Sequence, residues 1–219
     1  MTHSKTFTPL PVRMRSLPRD ARGYPVPWFV VWINGIPEFR AASQEKWEAA
    51  ITRRLCWICG RKLLRDVAFV AGPMCGINRT SAEPPAHSDC ARWSALNCPF
   101  LSNPHAVRRE DDTINNTSVR ESLPGHALTR NPGVTMLWIT RSYELYSAPG
   151  GRGKLILLGD PIRVEWYRYG RQATREEVMA AIDAGLPALE HLARQEAGGL
   201  AQLERAERRL RAWLPTAFG

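Results

Sequence analysis

No run of eighteen apolar residues occurs in the 219-residue chain, so it offers no candidate for a membrane-spanning helix. The opening stretch MTHSKTFTPLPVRMRSLPRD is basic and broken by proline. It lacks the apolar h-region of a secretory signal, and the expectation is a cytoplasmic protein. Three familiar catalytic signatures are missing too: the phosphate-binding G-x-x-x-x-G-K-[ST] loop, the G-x-S-x-G nucleophile elbow and the H-E-x-x-H zinc helix. GGRGK at 150–154 has a superficial likeness to the first. It stands between two β-rich runs with no helix behind it to supply amides, and reads as a turn. No internal repeat is found.

What is present argues for a folded chain. Hydrophobic residues make up 44% and there are eight Trp, which excludes disorder as the general state. The five cysteines are an odd number, and two form a C-x-x-C; in a cytoplasmic chain this points to metal or redox chemistry before disulfides. The net charge is +9, unevenly spread. Arg53, Arg54, Arg61, Lys62 and Arg65 follow one another with no acid until Asp66, whereas 171–214 carries seven basic and seven acidic residues. Basicity therefore gathers in the N-terminal arm and around Cys56 and Cys59. That distribution suits an anionic partner such as nucleic acid or a nucleotide, and is equally compatible with ordinary solvated arginine.

Residues 1–23 read as a flexible basic arm. An α+β core over 24–186 is expected next, containing a zinc module at 55–100, followed by a C-terminal helix over 187–219. YPVPWFVVWING ends on Asn34-Gly35, a strong hairpin signal, with IPEFRAA returning. Ser43 is placed to cap a helix whose apolar positions are Trp47, Ala50, Ile51 and Leu55. VAFV reads as a strand, Pro84-Pro85 as the first turn of a helix reaching about Asn97, and 101–133 as a long irregular loop. VTMLWITRSYELYS and KLILLGDPIRVEWYRYG read as two β-rich runs joined by an APGGRG turn. Thr174 and Glu177 form a T-x-x-E capping box before a helix, and a second helix is expected after Pro187, weakened at Gly198-Gly199.

The chemistry concentrates in CWICG and in GPMCGINRTSAEPPAHSDC. Cys56 and Cys59 can grip one ion, with Gly60 allowing the backbone to turn beneath it. His87 and Cys90, also three apart and near a helix start, can share a face and point at the same ion. The expected arrangement is a treble-clef-like zinc module, with VAFVAGPMCGI forming the intervening hairpin. Cys75 or Cys98 is an alternative to His87 as fourth ligand. Four protein ligands leave no coordination position for water, which makes the zinc structural.

Cys75, Asn78, Arg79 and Glu83 then remain as a candidate pocket for an anionic ligand, with Cys75 a conceivable thiolate nucleophile. The bland reading pairs Arg79 with Glu83 and buries Cys75. An HNH-like nuclease is poorly supported: the module's one histidine, His87, is already assigned to zinc, and neither a D-H nor an H-x-H pair occurs. Of the tryptophans, Trp28, Trp32, Trp138 and Trp166 fall in expected strands. Inward burial is the default for them, and stacking on a base is the alternative.

From PVPWFVVWING through CWICG, GPMC…EPPAHSDC and NPGVTMLWITRSYELY, the chain resembles a group of bacterial and phage proteins to which no activity attaches. The resemblance implies a common fold and a phage or mobile-element setting. The overall expectation is an α+β protein with a small antiparallel sheet, a zinc module and C-terminal helices. Its expected role is non-enzymatic binding of nucleic acid or a protein partner, with no membrane. The alternative is an enzyme or small-ligand binder acting on an anionic nucleotide or metabolite through Cys75, Asn78, Arg79 and Glu83.

Overall fold

A computed structural model describes residues 8–105, 131–148 and 153–216. The chain is α+β, and its described residues form three small antiparallel sheets. Among the described residues, β1 (Val30–Ile33) and β2 (Ile36–Ala42) pair only with each other. β3 (Val67–Ala71), β5 (Thr135–Thr140), β8 (Pro161–Arg168) and β9 (Arg171–Gln172) form a four-stranded sheet in that order. β4 (Thr80–Ser81), β7 (Lys154–Leu158) and β6 (Tyr143–Ser147) form the third. The helices are α1 (Gln44–Thr52), α2 (Pro73–Asn78), α3 (Ser88–Asn97), α4 (Pro99–Ser102), α5 (Arg175–Ala193) and α6 (Gly199–Arg211). No helix among the described residues is long and apolar enough to cross a membrane.

The four-stranded sheet is covered on both faces, which explains why every residue of β5, TMLWIT, is buried. Register and contacts assign the faces. Met136, paired with Trp166, looks towards α2 and α6, where a Cβ on Gly76 would lie 2.9 Å from both Met136 and Leu210. Only glycine lets α2 approach that closely. Trp166 also ties the C-terminal end of the chain to this face, donating its indole N–H to the Trp213 carbonyl at 2.9 Å. On the other face Glu165 receives a bidentate ion pair from Arg92 of α3, at 2.9 and 2.8 Å.

Local signals placed several elements correctly. Asn34 and Gly35 both adopt positive φ (50° and 78°) at the β1–β2 turn. Ser43 accepts from the Lys46 N–H to cap α1, and Thr174 with Glu177 completes a reciprocal capping box at α5.

Other boundaries require correction. From residue 8 the N-terminal arm is docked on α3. Thr8 accepts from the Trp93 indole and exchanges hydrogen bonds with Asn97, Arg13 pairs with Asp89 at 3.0 Å, and Met14 is buried. The α1 helix ends at Thr52, short of Leu55. The expected hairpin over VAFVAGPMCGI does not form. β3 pairs with β5, Pro73–Asn78 is helical, and the return leg comes only at Ala86, in a two-way backbone bridge to Ala68. Pro84 and Pro85 precede that leg, and α3 starts at Ser88 with His87 as N-cap.

The two β-rich runs are one long antiparallel hairpin bent in the middle. Its base, β5–β8, joins the four-stranded sheet, and its outer part, β6–β7, joins β4. The tip of the APGGRG turn (149–152) and most of the expected 101–133 loop (106–130) lie outside the described residues. The helix expected to stop at Pro187 continues through it to Ala193, because Leu186 and Leu189 on either side still pack on the core. The break comes at Gly198, at φ +73°.

Candidate metal centre

Cys56, Cys59, His87 and Cys90 converge, all buried, with their ligand atoms within 4.8 Å of one another. The knuckle that presents the first two is shaped by backbone hydrogen bonds: Cys56 N–H to the Arg61 carbonyl and Gly60 N–H to the Cys56 carbonyl, both at 2.8 Å. Gly60 is required twice over. Its φ is +71°, and a Cβ there would sit 2.7 Å from the Trp28 ring. The second pair arrives on the Ala86 leg and the first turn of α3. Because His87 is the N-cap and makes no side-chain capping bond, its ring is free to turn towards the cysteines.

The distances fit a tetrahedral ion. Bonds of about 2.3 Å to sulfur and about 2.0–2.1 Å to nitrogen imply sulfur–nitrogen edges of about 3.6 Å. Cys59 Sγ lies 3.5 Å and Cys90 Sγ 4.0 Å from His87 Nδ1. On the far side of the ring, Nε2 is 2.9 Å from the Lys62 carbonyl. With a metal bound, that contact would keep the proton on Nε2 and turn the Nδ1 lone pair to the ion, the outer support expected of a ligating histidine. Cys56 Sγ accepts two backbone N–H groups, from Cys59 and His87, each at 3.4 Å.

The electrostatics show a cluster short of positive charge. Hydrogen bonds from Cys56 and Cys90 hold the Cys59 thiol far below its usual range, against the effect of burial. Cys90 is pushed far above the usual range by its contacts with Cys56 and Cys59 and by burial. Burial alone would lower His87, but its contacts with Cys56 and Cys59 and the Lys62 carbonyl carry it up to about 10. One thiolate can form here only by suppressing its neighbour. A divalent cation removes that conflict and lets the sulfurs ionise together. The residues present therefore fit zinc, which would be held by three sulfurs and one nitrogen with no position left for water.

Cys75 and Cys98 are outside this set. Cys98 caps the end of α3, and Cys75 lies in α2. The Cys75 thiol is pushed up by burial and further by the Glu83 carboxylate, only partly offset by a backbone hydrogen bond at Gly72. This is the opposite of an activated nucleophile. Arg79, expected to hold an anion, is occupied. It adopts φ +53° at the end of α2, donates from Nε and Nη2 to the Leu158 carbonyl at 3.0 and 2.7 Å, and pairs Nη1 with Asp160 at 2.9 Å. The cleft of about 220 Å³ beside it also contains Glu144 and Asp160, which would repel an anion. Asn78 and Glu83 are exposed. A larger groove of about 390 Å³, between α1 and the β6–β7 pair, is lined by Trp47, Ile51 and Leu145 and is not lined by any of the candidate ligands.

Among the expected strand tryptophans, Trp138 and Trp166 are buried, Trp28 is half-buried against the knuckle, and Trp32 is exposed. All five basic residues around the knuckle, Arg53, Arg54, Arg61, Lys62 and Arg65, are exposed. Asp66, the acid closing that run, is already paired with Arg141.

Comparison with protein-family models, curated proteins and solved structures finds no match for this chain.

Proposed function

We propose that this chain is a non-enzymatic nucleic-acid-binding protein, in which a structural zinc ion stiffens the Cys56–Gly60 knuckle so that it presents a fixed basic surface. The observation that carries the reading is the pairing of a closed Cys3His cluster with five exposed cations on the segment that holds half of its ligands. Arg53 and Arg65 have no side-chain partner among the described residues, and Lys62 reaches only the Arg53 carbonyl. These charges are available to phosphates. The order of knuckle, extended leg and helix-borne ligands supports a treble-clef-like module whose hairpin is reduced to the Ala68–Ala86 bridge. The phage or mobile-element setting implied by the resemblance is compatible with this role.

Two observations favour binding over catalysis. The zinc set is complete without water, and the residues offered as a reactive pocket are diverted, with Cys75 raised and Arg79 engaged. The nuclease reading gains nothing either, since His105 and His191 are exposed and lie outside the cluster.

The test is binding to mixed-sequence DNA and RNA across a salt series. The wild type is expected to lose affinity steeply as salt rises. Arg53→Ala and Arg65→Ala should each reduce the salt slope by about one while leaving bound zinc unchanged. Salt-independent binding, or none, would reject the proposal.

A further inference from the structure

We infer that one face of the β1–β2 hairpin, bearing Trp32 and Phe39, is a base-stacking surface, and that the nucleic acid taken by this chain is single-stranded. The inference rests on the nucleic-acid reading above and extends it to the substrate class.

The hairpin pairs with no other strand among the described residues. Its register sets Trp32 opposite Pro37, with Phe39 two residues along, so Trp32 and Phe39 share a face about 7 Å apart along the strand direction. Ile33 and Ile36 are paired on the opposite face. Both rings are partly exposed, Trp32 by 42% and Phe39 by 37%, and every residue from Trp32 to Ile36 is exposed. The fold does not need these side chains for its own core.

The base of the hairpin, by contrast, is fixed to the knuckle. Trp28 N–H donates to the Ile58 carbonyl at 2.7 Å, and Phe29 stacks on Trp57 with ring centres 4.8 Å apart and planes 10° from parallel. The aromatic face is thus tethered at its base to the basic segment.

Charge selects the occupant. The Arg22 guanidinium, which also pairs with Asp20 at 2.7 Å, lies 5.7 Å from the Phe39 ring and 5.3 Å from the Tyr24 ring. Lys46 Nζ, which donates to the Val30 carbonyl, lies 5.8 Å from the Trp28 ring, with the exposed cations of the knuckle beyond. Rings interleaved with cations complement a polyanion that carries flat rings. In a duplex those rings are stacked on one another and show only their edges, so an aromatic face gains from them only when the strand is single. A lipid surface would instead draw on the aliphatic tip and its Ile33–Ile36 face, which makes Ile36 diagnostic.

The experiment uses the full-length zinc-bound chain, a labelled oligodeoxythymidine of about a dozen nucleotides, and a mixed-sequence duplex of equal length. Trp32→Ala and Phe39→Ala should each weaken oligodeoxythymidine binding by between about fivefold and a hundredfold. Trp32→Phe should restore most of the affinity. Ile36→Ala should change it by no more than about twofold, and all variants should keep wild-type zinc content and circular dichroism.

Three outcomes overturn the inference. Unchanged affinity in Trp32→Ala, alongside a loss in Arg53→Ala, removes the stacking face and leaves the nucleic-acid reading standing. Equal losses on duplex and single strand remove the strand preference. Binding to phosphatidylserine vesicles that depends on Ile36, with no oligonucleotide binding, replaces both readings with a membrane surface.

Discussion

Around Cys56 the chain has little regular backbone. The knuckle, the Ala86 leg and the base of the β1–β2 hairpin are joined by single backbone hydrogen bonds, one aromatic stack and four side chains placed to share a metal ion. In the four-stranded sheet, β5 is buried throughout between β3 and β8, with helices on both faces and apolar side chains doing the work of cohesion. The difference shows two ways of fixing backbone in one small protein. In the sheet, regular strand pairing and burial act together; at the knuckle the residues are just as buried but the backbone is irregular, and a metal-competent cluster stands where strand pairing is absent.

Breaking the cluster should produce the largest effect. Cys90→Ser, or a strong chelator acting on the wild type, should abolish the expected content of about one zinc per chain and lower the melting temperature by at least about 10 °C. Metal analysis with thermal unfolding checks this, and an unaltered Tm in the zinc-free protein would contradict it. Breaking the sheet instead should spare the metal. Leu137→Ala removes a fully buried side chain of β5 and should cost about 2–5 kcal/mol, or about 2–4 °C per kcal/mol, with zinc content unchanged.

The smallest effect concerns the ion pair that fastens α3, and with it Cys90, to the sheet. Burial pushes the Glu165 carboxyl up, but hydrogen bonds from Arg92 and Tyr167 and the charges of Arg92 and Arg163 outweigh it and hold the group below its ordinary value of 4.5. A depressed folded value means the carboxylate stabilises the native state above about pH 4.5, and that this contribution is lost as pH falls through the lowered value. Glu165→Gln should cost about 1–3 kcal/mol near neutrality and flatten that acid dependence, as denaturant titrations at several pH values would show.

The parts legible in the sequence were those governed by a few neighbouring residues. Asn34-Gly35, the Ser43 cap and the Thr174–Glu177 box each act within one turn, and the two ligand pairs follow from the three-residue spacing within each. The errors arose where distant packing decided. The hairpin expected over VAFVAGPMCGI takes in Pro73, yet proline after Gly72 also suits the first turn of a helix, and the space between Met136 and Leu210 selects that option. Pro84-Pro85 looked like a helix start, but the Ala68–Ala86 bridge keeps the following leg extended. Nothing local marks the division of 135–147 between two sheets, because the choice depends on which strand, β3 or β4, arrives alongside. Arg79 was a reasonable anion ligand until the Leu158 carbonyl, 79 residues away, claimed it.

The Ala68–Ala86 bridge also has a consequence for how portable this centre is. Ala68 belongs to a strand that serves the ligand-bearing leg through one backbone pair and the four-stranded sheet through β5. A segment cut out to carry the four ligands would take β3 with it, stripping the sheet of an edge and leaving that strand's other side bare. The centre is therefore not a cassette that can be moved between proteins. It is a shared wall, and substitutions on either side of it have to be accommodated by both.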